Sequence, residues 1–292
     1  MSGCNLSKTM NVVYLNGDFC SIEQARVSVL DRGFLFGDGV YEVLPAYGGH
    51  LFRLDAHLAR LDNSLAGIRL DNPHAHAEWE DLLNGLVDRN GGGDQVVYLQ
   101  ITRGPAARDH AFPVHVRPTV FAMSNPLVSH RSTSGVKAIT ARDIRWDLCN
   151  IKAIILLPNA LLRQEAVEAG ATEAILHRDG MVTEGAASNV FVVSGGEVAT
   201  PPKSAQLLPG ITRDLVVELL YEARVPCDER PVPLQELRGA EEIWITSSSR
   251  ELVPVVELDG RSVGNGCPGR VWEIADGLYQ EYKRRVGEGG AD

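Results

Sequence analysis

The chain has little of what several large classes of protein require. Of its 292 residues 28 are basic against 38 acidic, giving a formal charge of -10, and only five of the basic residues are lysine: Lys8, Lys137, Lys152, Lys203 and Lys283. A general basic footprint for nucleic acid or an anionic membrane is therefore missing, and any bound anion has to be held by a local basic site. The five cysteines, Cys4, Cys20, Cys149, Cys227 and Cys267, are odd in number, scattered and without a C-x-x-C pair. That speaks against a disulfide framework or a cysteine zinc site and fits a reducing cytoplasm. No apolar run approaches the roughly 18 residues of a membrane span, and Met1 to Met10 has neither the basic nor the apolar part of a secretory signal, so the expectation is a cytoplasmic protein. Three motifs are also missing. Gly33, Gly37 and Gly39 lack the G-x-G-x-x-G spacing and precede a strand signal, His74-x-His76 is not part of H-E-x-x-H, and Ser247 to Ser249 lacks the G-x-S-x-G elbow. A dinucleotide loop, a metal site and a serine hydrolase are poor readings, and no metal ligands are assigned.

What is present is a chain of ordinary globular composition, 44% hydrophobic and 23% charged, long enough for two domains. Residues 11–15 read as a strand turned by Asn16-Gly17, and 41–47 and 51–54 as a hairpin around Gly48-Gly49. Asp55 is placed to cap a helix whose apolar stripe is Leu58, Leu61, Leu65 and Ile68, with Arg60 and Ser64 off that stripe. A second helix over 74–89 and strands over 95–102 and 118–124 complete a small N-terminal α/β domain, residues 1–125, whose first ten residues form a flexible tail. Residues 126–135 are polar, contain proline and glycine and show no period, which marks an interdomain linker. The larger C-terminal domain, 136–292, begins with a strand at 136–141. It then alternates irregularly between strands at 173–177, 189–193, 197–199, 242–246 and 252–258 and helices at 159–168, 212–223 and 269–285. The last helix carries Val271, Ile274, Leu278 and Tyr282 at helical spacing. The mixture predicts an α+β fold and not a doubly wound nucleotide fold.

Three segments could carry chemistry. Lys152 opens the apolar run 151–157; burial there lowers an ammonium pKa and makes the amine a nucleophile able to form a Schiff base, while a lysine that snorkels to solvent is the ordinary alternative. Gly210-Ile211-Thr212 opens a helix, whose free N–H groups suit a phosphate or merely a capping threonine. Thr183-Glu184-Gly185 places a carboxylate in a glycine-bounded turn, where a solvated glutamate is equally ordinary.

Taken together and in order, these segments resemble the class IV pyridoxal-phosphate aminotransferases, the family of D-amino-acid and branched-chain aminotransferases. The resemblance covers nearly the whole chain. It is carried by D-R-G-F-L-F-G-D-G-V-Y-E at 31–42, Arg60, C-N-I-K at 149–152, E-A-I-L-H-R-D-G at 173–180, T-E-G at 183–185 with S-N-V-F at 188–191, L-P-G-I-T-R at 208–213 and T-S-S-S at 246–249. It implies a two-domain fold with pyridoxal 5'-phosphate between the domains. Lys152 is then the Schiff-base lysine and proton carrier, Glu184 the partner of the pyridine nitrogen, and Leu208 lies against the ring. Arg60, Ile211, Thr212, Ser247 and Ser248 are the residues implied around the phosphate. Ala186 and Ala187 depart from the serines that D-amino-acid aminotransferases often have near the cofactor, and Pro158 stands where glycine is frequent, at a helix start that tolerates it.

Within the family, Arg108-Asp109-His110 resembles the R-x-H carboxylate trap of D-amino-acid aminotransferases, to which Tyr41 would add a hydroxyl. The resemblance implies a homodimer in which this loop reaches the neighbouring subunit's site. It also implies ping-pong transfer of an amino group between a D-amino acid, with D-alanine foremost, and a 2-oxo acid such as 2-oxoglutarate. The alternatives left open are a lyase resembling aminodeoxychorismate lyase, a branched-chain or amine aminotransferase of the same fold, a non-catalytic pyridoxal-phosphate-binding protein and, for Arg108 and His110, a solvated loop pair.

Overall fold

A computed structural model describes residues 11–115, 117–128 and 132–290. The tail 1–10 and part of the expected linker lie outside the described residues. The N-terminal elements are β1 (Val12–Leu15), β2 (Asp18–Ser21), α1 (Arg32–Phe36), β3 (Gly39–Tyr47), β4 (His50–Leu51), α2 (Leu54–Gly67), α3 (His76–Arg89), β5 (Gln95–Thr102) and β6 (Thr119–Pro126). Their strands form an antiparallel sheet in the order β2-β1-β6-β5-β3-β4. The β1–β2 hairpin closes where Asn16 and Gly17 both take positive φ, as the Asn-Gly pair predicts. Helices α2 and α3 bury Leu58, Leu61, Leu65, Trp79, Leu83 and Leu86 in one cluster with Val40, Leu44, Leu99 and Ile101 of the sheet. Ile151 and Ala153 belong to that same cluster, so the residues on either side of Lys152 are anchored in the first core.

The helix entry differs from expectation. α2 starts from Arg53, in the left-handed region at φ 54, and Asp55 lies inside the first turn without capping it. Ile68 is the C-cap and only partly buried, whereas Arg60 and Ser64, off the apolar stripe, are buried. Periodicity counts apolar side chains alone. Arg60 is buried because Glu42 pairs with it, and Ser64 because its hydroxyl accepts the Lys152 amide.

The remaining elements are β7 (Val136–Arg142), α4 (Leu157–Glu168), β8 (Glu173–Arg178), β9 (Met181–Gly185), β10 (Asn189–Ser194), β11 (Glu197–Thr200), α5 (Ile211–Glu222), β12 (Cys227–Glu229), α6 (Leu234–Arg238), β13 (Glu242–Ser247), β14 (Glu251–Leu258), β15 (Arg261–Ser262) and α7 (Arg270–Gly287). The second sheet runs β12-β11-β10-β13-β14-β7-β8-β9, with β15 on β14. It mixes antiparallel hairpins with the parallel pairs β7–β8, β7–β14 and β11–β12, consistent with the α+β expectation. Glu184 is not in a turn: it lies in β9, buried on the return strand of the Asp179-Gly180 hairpin. The stripe of α7 is also shifted. Trp272, Ala275, Tyr279, Tyr282 and Val286 are buried, and Ile274 faces solvent. Both stripes have helical spacing, and the aromatic rings settle which one faces inward, in a cluster that also takes in Tyr47 of β3 and Phe52, just after β4.

Candidate active site

A cavity of about 290 Å³ is lined by Tyr41, Arg60, Lys152, Glu184, Leu208, Ile211, Thr212, Ser247 and Ser248. Nine of the eleven residues expected from sequence thus face one space. Arg108 and His110 do not line it; they are exposed on the loop between β5 and β6.

Lys152 is held in place by its backbone. Its carbonyl accepts from the Tyr41 amide at 2.9 Å, its amide donates to Ser64 Oγ at 3.1 Å, and Ala153 bridges to Val40. The side chain is thereby committed to the cavity. Loss of hydration, and to a lesser degree the nearby Arg60 charge, lowers its pKa to about 8 against the pull of Glu42 and Glu184. Tyr41, stacked on Tyr98 at 5.7 Å, is pushed up to about 12 mainly by burial and stays a neutral phenol.

Glu184 receives Arg145 Nη1 on Oε1, and on Oε2 both Asn189 Nδ2 and the Leu208 amide, each at 3.1 Å. Burial nevertheless raises its pKa to about 7, with Arg145 and the Leu208 amide opposing the rise. Arg145 is in turn gripped by Asp143, from Nε at 3.0 Å and Nη2 at 2.8 Å. Burial works against the Asp143 charge, and Arg145 more than offsets it, so that carboxyl lies below its usual range. Sequence reading missed Arg145. Its only signal was an arginine two residues beyond an aspartate at the end of β7.

Arg60, also on the cavity wall, bridges two elements. Nε and Nη2 donate to Glu42 at 2.8 and 2.7 Å, while Nη1 donates to the Pro209 carbonyl at 3.0 Å, immediately before the start of α5. Glu42 is fully buried and also meets His57 Nδ1 at 2.7 Å. Gly210 caps α5 without a side-chain bond, and Gly210, Ile211 and Thr212 line the cavity, so the start of that helix is on its wall. Thr246 Oγ1, also on this wall, is buried with no hydrogen-bond partner among the described residues.

Residues 39–258 match the family model of the amino-transferase class IV proteins. The chain belongs to this family. It is 44% identical over 259 residues to a D-alanine aminotransferase of Bacillus licheniformis, covering 88% of this chain and 92% of that protein. With a D-alanine aminotransferase of Staphylococcus haemolyticus it shares 39% identity over 276 residues, 94% of this chain and 98% of the relative. Among solved structures, the branched-chain aminotransferase of the archaeon Thermoproteus uzoniensis with norvaline superposes with a TM-score of 0.85. The two are 28% identical, over 96% of each chain.

Class IV aminotransferases use pyridoxal phosphate, and a branched-chain member is solved with pyridoxamine 5'-phosphate. The donor set here fits that group. The cavity offers an amine of lowered pKa, a buried carboxylate for a protonated ring nitrogen, and an arginine, a helix start and the unpaired Thr246 hydroxyl for a phosphate. Ala186 and Ala187 also line the cavity, where they offer methyl groups.

Proposed function

We propose that this class IV aminotransferase moves the amino group of a D-amino acid, D-alanine foremost, to a 2-oxo acid such as 2-oxoglutarate by a ping-pong cycle. The observation that carries the reading is the convergence of Lys152, Glu184 and the α5 start on one cavity. Bound there, pyridoxal phosphate supplies the electron sink that makes the Cα–H of an amino acid acidic. Lys152 Nζ would hold the cofactor and, once free as a base of lowered pKa, would carry the Cα proton of the substrate. Glu184, kept in place by Arg145, Asn189 and the Leu208 amide, pairs with the proton on the ring nitrogen. Leu208 supports the ring, and Arg60, Ile211, Thr212, Ser247 and Ser248 hold the phosphate end.

Substrate handedness is assigned to Arg108 and His110 with the Tyr41 hydroxyl, which together fix the substrate carboxylate so that the D enantiomer turns its Cα–H toward Lys152. Both residues lie outside the cavity of their own chain, which supports a homodimer in which they serve the neighbouring site. Exposed apolar side chains support the same assembly: Phe34, Val29 and Phe112 near the loop, and Ile155, Leu156 and Leu157 beside the cavity. The division at residues 126–135 into two domains, with the cavity walled by both, and a cytoplasmic location belong to the same reading. Among the described residues no helix is long and apolar enough to cross a membrane.

The test is to mix purified protein with D-alanine or L-alanine and 2-oxoglutarate and to measure pyruvate, with a no-acceptor control. Repeated turnover without acceptor would overturn transamination in favour of a lyase. Pyruvate from L-alanine alone would overturn the enantiomer, and a yellow protein without turnover would leave a cofactor-binding protein only.

A further inference from the structure

The loop that carries Arg108 and His110 is exposed and belongs to no helix or strand, yet one buried side chain holds its backbone. Arg32, 3% exposed, donates from Nη1 to the carbonyls of Asp109 at 2.6 Å and Ala111 at 3.3 Å, and from Nη2 to that of His110 at 3.4 Å. Three successive carbonyls thus fall to one guanidinium. Its Nε is fixed by Asp38 at 2.7 Å, and Asp38 also takes two bonds from Arg103, at 2.8 and 3.0 Å. The Arg32 amide closes the circuit on the Gly104 carbonyl at 3.0 Å. Only a planar fork with five donors meets these demands together; a lysine ammonium is a point charge on a flexible stem.

The side chains of the loop rest on a second residue of the same short helix. The Phe36 ring lies 4.8 Å from the Arg32 guanidinium carbon, 5.5 Å from that of Arg108, and edge-on to the His110 ring at 5.5 Å. One aromatic ring therefore receives both groups of the R-x-H pair, and stacking leaves the guanidinium edge free to grip a carboxylate.

We infer that Arg32 and Phe36 are positioning residues for enantiomer selection, acting through the presentation of Arg108 and His110. The inference rests on the carboxylate-trap reading above. Its test measures steady-state kinetics of Arg32→Lys and Phe36→Leu with D-alanine and L-alanine, beside Arg108→Ala, with the visible absorbance of bound cofactor as a second readout. The expected result is a KM for D-alanine raised about tenfold in each, kcat within about twofold, a D-to-L preference reduced by about the same tenfold, and unchanged cofactor absorbance. A wild-type KM in either folded variant, beside a raised one in Arg108→Ala, overturns the assignment of that residue. A wild-type KM in Arg108→Ala itself overturns the trap reading instead. Loss of cofactor absorbance together with kcat would mark a structural role and also overturn the inference. Phe36→Leu decides the matter where Arg32→Lys does not fold.

Discussion

The Lys152 ammonium nitrogen sits 4.2 Å from the centre of the Tyr41 ring. The ring face offsets part of the cost of removing a cation from water, yet burial still dominates and brings Lys152 to about 8. The reactive form is the free amine, present as about a tenth of the population at pH 7 and about half at pH 8. The rate at which cofactor-free protein takes up pyridoxal phosphate should therefore rise with pH and level off above about 8, followed by the growth of visible absorbance. Tyr41→Phe should leave that midpoint in place, and Tyr41→Leu should lower it, because the ring that favours the cation is gone. A midpoint near that of free lysine would contradict the burial argument. Lys152→Ala should reduce turnover by more than about a thousandfold.

Arg145 and Glu184 make a second testable pair. Arg145→Gln removes the cation that opposes the rise in the Glu184 pKa, so the carboxyl should titrate above about 7 and be largely protonated at neutral pH. The acid limb of the pH–rate profile should move upward, with kcat at pH 7 down by about tenfold. A profile that stays put would exclude Glu184 as the titrating group. Stability of the cofactor-free protein carries the opposite signature. The folded carboxyl holds its proton to about 7 and the unfolded one only to about 4.5, so the folded state gains protons between these values and stability falls as pH rises through that window. Glu184→Gln should flatten this dependence in urea unfolding at pH 5 and pH 8.

These two pairs show how far the sequence could be read. Lys152 and Glu184 were marked as candidates by their segments, but local pattern left a snorkelling lysine and a solvated glutamate equally open, and the resemblance of the ordered segments to class IV aminotransferases made the choice. The groups that hold Glu184 in place were not so marked. Arg145 and Asn189 reach Glu184 from different segments, and nothing local in either announces the encounter. The hairpin with the Asn16-Gly17 turn was placed correctly, since the turn chemistry is local. The strand nature of 181–185 was not, because polar Thr183 and Glu184 there are buried by tertiary partners. The Arg32 clamp on 109–111 was invisible for the same reason: backbone carbonyls carry no sequence signal.

Arg60 and Glu42 predict a coupling of cofactor affinity to stability. Arg60 holds the buried Glu42 carboxylate far below its ordinary pKa, although burial pushes the other way. Arg60→Ala leaves that carboxylate with His57 alone and should cost about 3–5 kcal/mol of folding stability. Arg60→Lys keeps the charge but cannot span Glu42 and the Pro209 carbonyl together. It should fold and lose about tenfold in pyridoxal phosphate affinity, read by absorbance titration. Unchanged affinity would remove Arg60 from the phosphate site.

Glu242 offers a stability change separated from the chemistry. Its carboxylate, at the start of β13, accepts the amides of Val271 and Trp272 at 2.9 and 2.8 Å and so caps α7, a helix whose Gly269 N-cap has no side chain to do so. An anion at a helix N-terminus also meets the favourable end of its dipole. Glu242→Ala should therefore lower stability by about 1–2 kcal/mol, seen as an earlier urea midpoint. Gly269→Ala should do the same by another route, since its Cβ would stand 2.0 Å from Glu242 Cδ and displace the cap. Neither residue lines the cavity, so kcat and KM should stay at wild-type values in both. If kcat falls with stability in Glu242→Ala, the register of α7 is transmitted to α5 and the phosphate end, because the two helices share the core around Leu215, Trp244 and Tyr279.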